Sequence, residues 1–248
     1  MPEGPTILYS SEQCSFLIGQ KLIDAGGYAE MDRSGMSNIK LKDIRSHGKY
    51  FIFVFADFFV TVHLGLFGRL LINETKKVNP SFSLHFAHDE LNFYVSRIER
   101  YSGKPEDYFD WRIDVMSEAF DEKQVYKLIH ENAADQMIGD VLMDQHILAG
   151  VGNIIRNEAL YRSKIQPESI VKNIPIRNLK RIITEAQEYS QEFYHLIVTG
   201  GGVKKQAQIY GKDECPVHHT PLNIYIAGKV KRKTYVCTKC QKLYVGKK

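Results

Sequence analysis

Two groups of residues, at opposite ends of the 248-residue chain, have the types and spacing to do chemistry. The chain opens Met1-Pro2-Glu3-Gly4-Pro5. With Met1 removed, Pro2 presents a secondary amine and Glu3 a carboxylate beside it. That pair can form a covalent bond to an electrophilic carbon such as a sugar aldehyde carbon, the amine as nucleophile and the carboxylate as proton carrier. Many proteins without such chemistry also begin Pro-Glu, so the argument needs the rest of the chain. At the far end, Cys215-Pro-Val-His218 is followed after 18 residues by Cys237-Thr-Lys-Cys240. Each half lets two ligands from one tight turn meet a single ion, and four such ligands make a closed tetrahedral zinc site. His219 competes with His218, and the two-residue spacer favours His218. Leu222 to Ile226 and Lys233 to Val236 alternate around Gly228, as a hairpin stapled by metal would. So small a segment has little core, and the ion supplies much of its folding energy.

A third stretch lies between them. Gly150-Val151-Gly152-Asn153 stands before a helical pattern. Asn153 reads as the helix N-cap, and the glycines allow close backbone approach. Backbone N–H groups and the positive helix end form a seat for phosphate, although Gly-x-Gly-Asn also serves as a plain turn and cap.

The charge distribution fits a polyanion partner. From Gly200 to Lys248 there are 11 lysines and arginines against Asp213 and Glu214, a net +9, whereas the remainder carries 22 against 27, a net −5. A basic tail on a mildly acidic body is the footprint of such a partner, or of a solvated lysine-rich terminus. The first residues lack the basic start and apolar core of a secretion signal. The most apolar window, Tyr50 to Phe67, holds Asp57, Thr61 and His63 and reads as a hairpin rather than a membrane span. The expectation is a soluble intracellular protein, in which Cys215, Cys237 and Cys240 point to metal rather than disulfide.

The elements that must position these groups follow from periodicity. Thr6 to Ile18 predicts a short helix, with Cys14 on its apolar face as a buried small hydrophobe. From about Gln20 to Ser96 the pattern turns to strands: an alternating run over 38–45, a hairpin from 50–55 and 58–64, and another from 83–86 and 91–95. Many short strands with turns imply an antiparallel sandwich. His63, His85 and His88 read as ordinary strand and turn histidines. Ser102 to Asp114 is a polar connection. Helical patterns follow around Val125, around Ile138, over 154–163 and over 176–198, the last ended by Gly200-Gly201-Gly202.

Several motifs in this order resemble the formamidopyrimidine-DNA glycosylase/endonuclease VIII family of base-excision repair enzymes. Pro2-Glu3-Gly4-Pro5 is similar to the endonuclease VIII start. Ser46-His-Gly48-Lys49-Tyr50 resembles the family's lysine motif, and His63-Leu-Gly65-Leu-Phe-Gly68 its minor-groove turn. Leu142-Met-Asp144 through Gly150-Val-Gly152-Asn153-Ile154 resembles its helix–two-turns–helix motif. Gln208 with Ile209-Tyr210-Gly211-Lys212 resembles the approach to its zinc finger, and Arg232-Lys-Thr234-Tyr-Val-Cys237 the segment with its finger arginine. The implied fold is α+β: an N-terminal antiparallel β-sandwich with a leading helix (1–115), a helix–two-turns–helix domain (116–202) and a zinc-finger hairpin (203–248).

The resemblance implies a bifunctional DNA glycosylase/AP lyase acting by β,δ-elimination. Pro2 would attack the sugar C1′ and form a Schiff base, and Glu3 would move protons. Lys49, Asn153 and Arg232 would hold phosphates around an everted nucleotide, and Leu66 would fill the space it leaves. Against these stand the readings of Lys49 and Arg232 as surface charges and of Leu66 as core. Zinc would be structural, held by Cys215, His218, Cys237 and Cys240, with no redox cofactor required. The partner would be damaged double-stranded DNA. The chain would be a monomer, not secreted, in the cytoplasm at a bacterial nucleoid or in a nucleus.

Three departures qualify the resemblance. Thr6 stands where the family often has a second glutamate, which opens the reading of a non-catalytic binder of damaged or abasic DNA. Only Val203 to Ile209 separates Gly202 from Tyr210, where formamidopyrimidine glycosylases carry a long loop associated with oxidised purines, and their Arg and Phe beside the wedge are not evident. Both points favour oxidised pyrimidines. His218 stands where many members have cysteine. A structural RNA-binding zinc protein is the remaining rival, and it has no use for a free prolyl amine.

Overall fold

The structure is a computed structural model and describes residues 2–246. Its contacts divide the chain into two compact units, the first ending at Asp110 and the second beginning at Trp111.

The first unit opens with helix α1 (Gly4–Gln13), followed by a 3-10 turn (Ser15–Leu17). The helix starts two residues earlier than the periodicity predicts, because Glu3 takes the N-cap position and Pro5, whose φ is preset for a helix, falls in the first turn. Ten strands follow: β1 (Lys21–Leu22), β2 (Asp24–Gly26), β3 (Ile39–Lys40), β4 (Asp43–His47), β5 (Tyr50–Val54), β6 (Phe58–His63), β7 (Arg69–Ile72), β8 (Phe82–His85), β9 (Glu90–Tyr94) and β10 (Arg97–Ser102). The run expected over 38–45 breaks into β3 and β4, because Leu41 turns aside to exchange backbone hydrogen bonds with Gly19 and Gln20.

Two four-stranded antiparallel sheets result, β10-β6-β5-β4 and β2-β8-β9-β7. Phe51, Phe53, Val60 and Val62 face Phe82, Leu84, Leu91 and Phe93 in one apolar core. The antiparallel sandwich is therefore present. Cys14 lies in the same core, where burial pushes its thiol up to about 12 and keeps it protonated. The polar connection after β10 doubles back: Tyr108 and Phe109 pack on Phe59, covering the sheet's second face.

The second unit contains α2 (Glu122–Asn132), α3 (Ile138–Val141), α4 (Asn153–Arg162), α5 (Ile176–Val198), α6 (Val203–Gln206), β11 (Asn223–Ala227) and β12 (Arg232–Val236). Helix α5 matches the periodic segment and ends at Thr199, with Gly200 in the left-handed region (φ +71°) as a C′ glycine. Leu142, Ile155, Leu160, Leu179, Ile182 and Ile183 belong to its core. Strands β11 and β12 pair as a hairpin around Gly228. Among the described residues, no helix is long and apolar enough to cross a membrane.

Candidate active site and metal centre

Pro2 is half-buried, and Glu3 beside it has no solvent exposure. Removal of Met1 lies outside the described residues. Glu3 is extended (φ −121°, ψ 173°), and its carbonyl oxygen accepts from the N–H groups of Thr6 and Ile7. That fixes the chain direction into α1. Its carboxylate makes no capping bond to the helix, so capping does not account for its burial. Burying a carboxylate opposes folding unless its surroundings compensate. Thr6 is half-buried one turn into the helix.

Lys49 and Leu66 come to the same end of the sheet. Gly48 and Lys49 form the two-residue loop between β4 and β5, with Gly48 at φ +54°. Strand β6 ends against the start of β5, with His63 paired to Tyr50, and the chain then makes the loop Leu64–Gly68. This loop is tightly built. Gly68 N–H donates to the Leu64 oxygen at 2.8 Å, and a Cβ on Gly68 would lie 2.1 Å from that oxygen. Gly65 takes φ +58°, and its N–H donates to His63 Nδ1 at 3.1 Å. The loop holds Leu66 43% exposed and Phe67 79% exposed. Leu66 is thus not a core residue but one of two large apolar side chains carried into solvent by a constrained turn.

Helix α4 corrects the reading of Asn153. Gly152 is the N-cap and Asn153 is the first helical residue. Its side chain is buried and ties the helix to the finger: Nδ2 donates to the Lys233 oxygen at 2.9 Å. Nothing in the pattern Gly-x-Gly-Asn distinguishes the two positions, because the long-range acceptor on β12 decides which way the amide turns. Three further polar residues on this helix, none of them singled out from the sequence, do related work. Arg156 Nη2 donates to Thr234 Oγ1 at 2.7 Å. Asn157 Oδ1 accepts from the Tyr235 N–H at 3.0 Å. Glu158, with no exposure, accepts from the N–H groups of Gln208, Ile209 and Tyr210 at 2.8, 2.9 and 2.8 Å. Polar side chains on a helix buried along Asn153–Tyr161 were the available signal, since each needs a partner the helix cannot supply.

The hairpin tip is clasped as well. Asp140 Oδ1 accepts the Lys229 N–H at 2.9 Å, and a Cβ on Gly228 (φ +77°) would lie 2.2 Å from the same atom. The Tyr225 hydroxyl donates to Glu168. Arg232 opens β12 half-buried, and its Nε is buried with no hydrogen-bond partner among the described residues.

Cys215, His218, Cys237 and Cys240 converge, their ligand atoms all within 4.8 Å of one another. His219 is turned to Glu214 at 3.0 Å, so His218 supplies the imidazole. The Sγ atoms of Cys215 and Cys240 are 3.7 Å apart, and His218 Nδ1 lies 3.8, 3.8 and 3.2 Å from Cys215, Cys237 and Cys240. A tetrahedron with zinc–sulfur bonds of about 2.3 Å has sulfur–sulfur edges of about 3.8 Å. The donor set therefore fits a four-coordinate metal with no open position. Its electrostatics ask for a cation. Burial works to raise the Cys215 thiol, but the Tyr161 hydroxyl and the turn's N–H groups outweigh it and bring it down to about 6. Burial, together with Cys215 and Cys237 nearby, holds the Cys240 thiol up at about 11. Three thiolates do not coexist there without positive charge between them. Among the described residues this is the only such cluster, and His85 and His88 join no other.

Two family models together match most of the chain. The formamidopyrimidine-DNA glycosylase N-terminal domain matches residues 1–112, and the formamidopyrimidine-DNA glycosylase H2TH domain matches residues 113–199. The chain belongs to the formamidopyrimidine-DNA glycosylase/endonuclease VIII family. Endonuclease 8-like 3 of Mus musculus is 28% identical over 207 residues, 80% of this chain and 34% of that protein. The formamidopyrimidine-DNA glycosylase of Methylobacillus flagellatus is 26% identical over 230 residues, 82% of this chain and 80% of that one. The chain spans about a third of the length of the endonuclease 8-like 3 relatives it matches. Among solved structures, a complex between the LlFpg protein, a THF-DNA and an inhibitor has TM-score 0.84 at 22% identity, covering 97% of this chain and 100% of that one. A viral DNA glycosylase has TM-score 0.81 at 20% identity, with the same coverage. At these identities the likeness is one of fold. In this family member the sandwich, the H2TH match and the Cys/His cluster follow one another in the order that the sequence motifs imply.

Proposed function

We propose that this family member is a bifunctional DNA glycosylase/AP lyase of base-excision repair. It removes oxidised bases, pyrimidines favoured, and cuts the strand at the resulting site. The observation that carries the reading is the fully buried Glu3 carboxylate next to the half-buried Pro2 amine position. A carboxylate held out of water beside a potential nucleophile, and not spent on capping its own helix, is placed for proton transfer.

The chemistry follows from the amine. An α-amino group has a reference pKa of about 7.7–8.0, against about 10.4 for lysine, so a useful fraction is neutral near neutral pH. The Pro2 nitrogen lone pair forms a bond to the sugar C1′, while the bond from C1′ to the base breaks and the base leaves with that electron pair. Loss of the amine proton and opening of the sugar give a cationic Schiff base, an electron sink. Its neighbouring C2′ proton is then removed and the 3′ phosphate departs. A second elimination releases the 5′ phosphate. Glu3 carries protons to and from the sugar in these steps. Lys49 and Arg232 supply cations to the backbone phosphates; the partnerless buried Nε of Arg232 fits a donor that waits for an anion. Asn153 keeps one of its two Nδ2 protons for the same purpose, beside the N-terminus of α4. Leu66 enters the stack where the nucleotide has left.

Between Gly202 and Tyr210 the chain has room only for the one-turn helix α6, which supports a pyrimidine preference. Zinc is the metal best suited to three sulfurs and one nitrogen in a tetrahedron. Cys215, His218, Cys237 and Cys240 would hold it, and its contribution is to fold the hairpin rather than to react. The reading includes damaged duplex DNA as partner, a monomer as the working unit and a cytoplasmic or nuclear location. Borohydride trapping tests the mechanism. Met-processed protein is mixed with a duplex containing one abasic site, alongside Pro2→Gly and Glu3→Gln. An adduct mapped to Pro2, with strand cleavage when borohydride is omitted, is the expected result. Tight abasic-site binding without an adduct would overturn the enzyme reading in favour of a non-catalytic binder and would direct attention to Thr6.

A further inference from the structure

His63 occupies a junction. It is the last residue of β6, half-buried, and it lies in a cross-strand row His47–Tyr50–His63–Arg97 on the outer face of the sheet. Its ring packs on Tyr50 with centroids 5.0 Å apart. Both the Gly48–Lys49 loop and the Leu64–Gly68 loop, which carries Leu66 and Phe67, leave the sheet at this row. His63 Nδ1 accepts the Gly65 N–H at 3.1 Å, so the ring proton resides on Nε2 and the imidazole is neutral.

We propose that His63 is a positioning residue: its neutral Nδ1 pins the Gly65 turn, holds Leu66 and Phe67 ready for insertion, and releases the loop when protonated. This rests on the reading of Leu66 as the wedge. The charged and titratable groups facing His63 are Lys49 from the β4–β5 loop, Tyr50 from β5, and Arg97 and Glu99 from β10. Burial lowers the His63 pKa below 6.5, Lys49 and Arg97 lower it further, and Glu99 opposes them. A histidine with a depressed folded pKa keeps its contribution above the unfolded value and loses it as pH falls through the folded one. The pin therefore holds at neutral pH and fails only as pH falls through a folded pKa that lies below the ordinary histidine value. Protonation both fills the acceptor lone pair and sets a third positive charge beside Lys49 and Arg97.

The test pairs His63→Asn, whose Oδ1 can take the Gly65 N–H but cannot titrate, with His63→Ala. The readout is the ratio of cleavage on a duplex abasic site, which needs the wedge, to cleavage on a single-stranded one, which does not. For the wild type the ratio falls by about five-fold as pH is lowered from neutral through the His63 ring titration followed by NMR, the size of one net hydrogen bond. His63→Asn keeps the neutral-pH ratio throughout, and His63→Ala is low throughout. Parallel pH profiles for wild type and His63→Asn, or a His63→Ala ratio equal to wild type, overturn the proposal. A second measurement is independent of activity. The Gly65 amide resonance titrates with the His63 ring in the wild type and is flat in His63→Asn. Absence of that titration also overturns the proposal. A Gly65 titration in a protein that cleaves neither substrate instead counts against the lyase reading.

Discussion

Replacing Glu158 probes how the finger is held. Its two oxygens accept three backbone N–H groups from Gln208, Ile209 and Tyr210 at 2.8–2.9 Å, in a position without solvent access. Hydrogen bonds to a charged acceptor contribute about 1.5–3 kcal/mol each and are not additive within one cluster. In Glu158→Gln the amide oxygen can keep Ile209 and Tyr210, but the NH2 group then faces the Gln208 N–H, donor against donor. The net loss is one charge-assisted bond plus desolvation of one amide, about 3 kcal/mol. Glu158→Ala strands all three N–H groups and costs about 3–5 kcal/mol. At about 2–4 °C per kcal/mol for a chain of this size, Glu158→Gln should lower Tm by about 6–12 °C. Exposed Glu188→Gln on α5 is the control and should stay within about 0.5 kcal/mol of wild type. Differential scanning calorimetry reads both. Release of zinc to a chromogenic chelator should also speed up in Glu158→Gln, because Gln208–Tyr210 lead into the Cys215 turn. A Glu158→Gln Tm within about 2 °C of wild type would refute the claim that this carboxylate anchors the segment.

Cys237→Ser, or chelation of the metal, should remove close to one zinc per chain and unfold the β11–β12 hairpin, read by metal analysis and by loss of amide protection over 223–236. Leu66→Ala should leave thermal stability within about 0.5 kcal/mol, because the side chain is already exposed, yet reduce lesion processing in duplex DNA by about ten-fold or more. Equal loss on single-stranded substrate would count against the wedge.

What was legible in the sequence is what depends on short-range pattern. The candidate metal ligands are readable because two residues of spacing fix the bite of each turn, and the cluster duly forms from Cys215, His218, Cys237 and Cys240. The alternation of Phe51, Phe53, Val60 and Val62 announces a strand hairpin, and the 3.6-residue period of α5 places that helix at Ile176–Val198. The strongest apolar stretches were therefore identifiable as elements, and their order as a sandwich followed by helices.

The tertiary structure decided what depends on a distant partner. Strands β7 and β10 are rich in charge or short, and they become strands by pairing with β9 and β6. The Asn153 amide reads as a cap until Lys233, eighty residues on, offers the acceptor that turns it toward the finger. Glu158 and Arg156 look like surface charges of an amphipathic helix; they are buried because the finger approach and β12 bring backbone and hydroxyl partners to them. Leu66 is the reverse case: an apolar residue in an apolar window, exposed on the loop that the Gly68 N–H closes onto the Leu64 oxygen. Local pattern encodes which residues prefer burial. Only long-range contacts encode whether a polar group finds the partner that permits it, since an unmet donor or acceptor costs more than an apolar side chain gains.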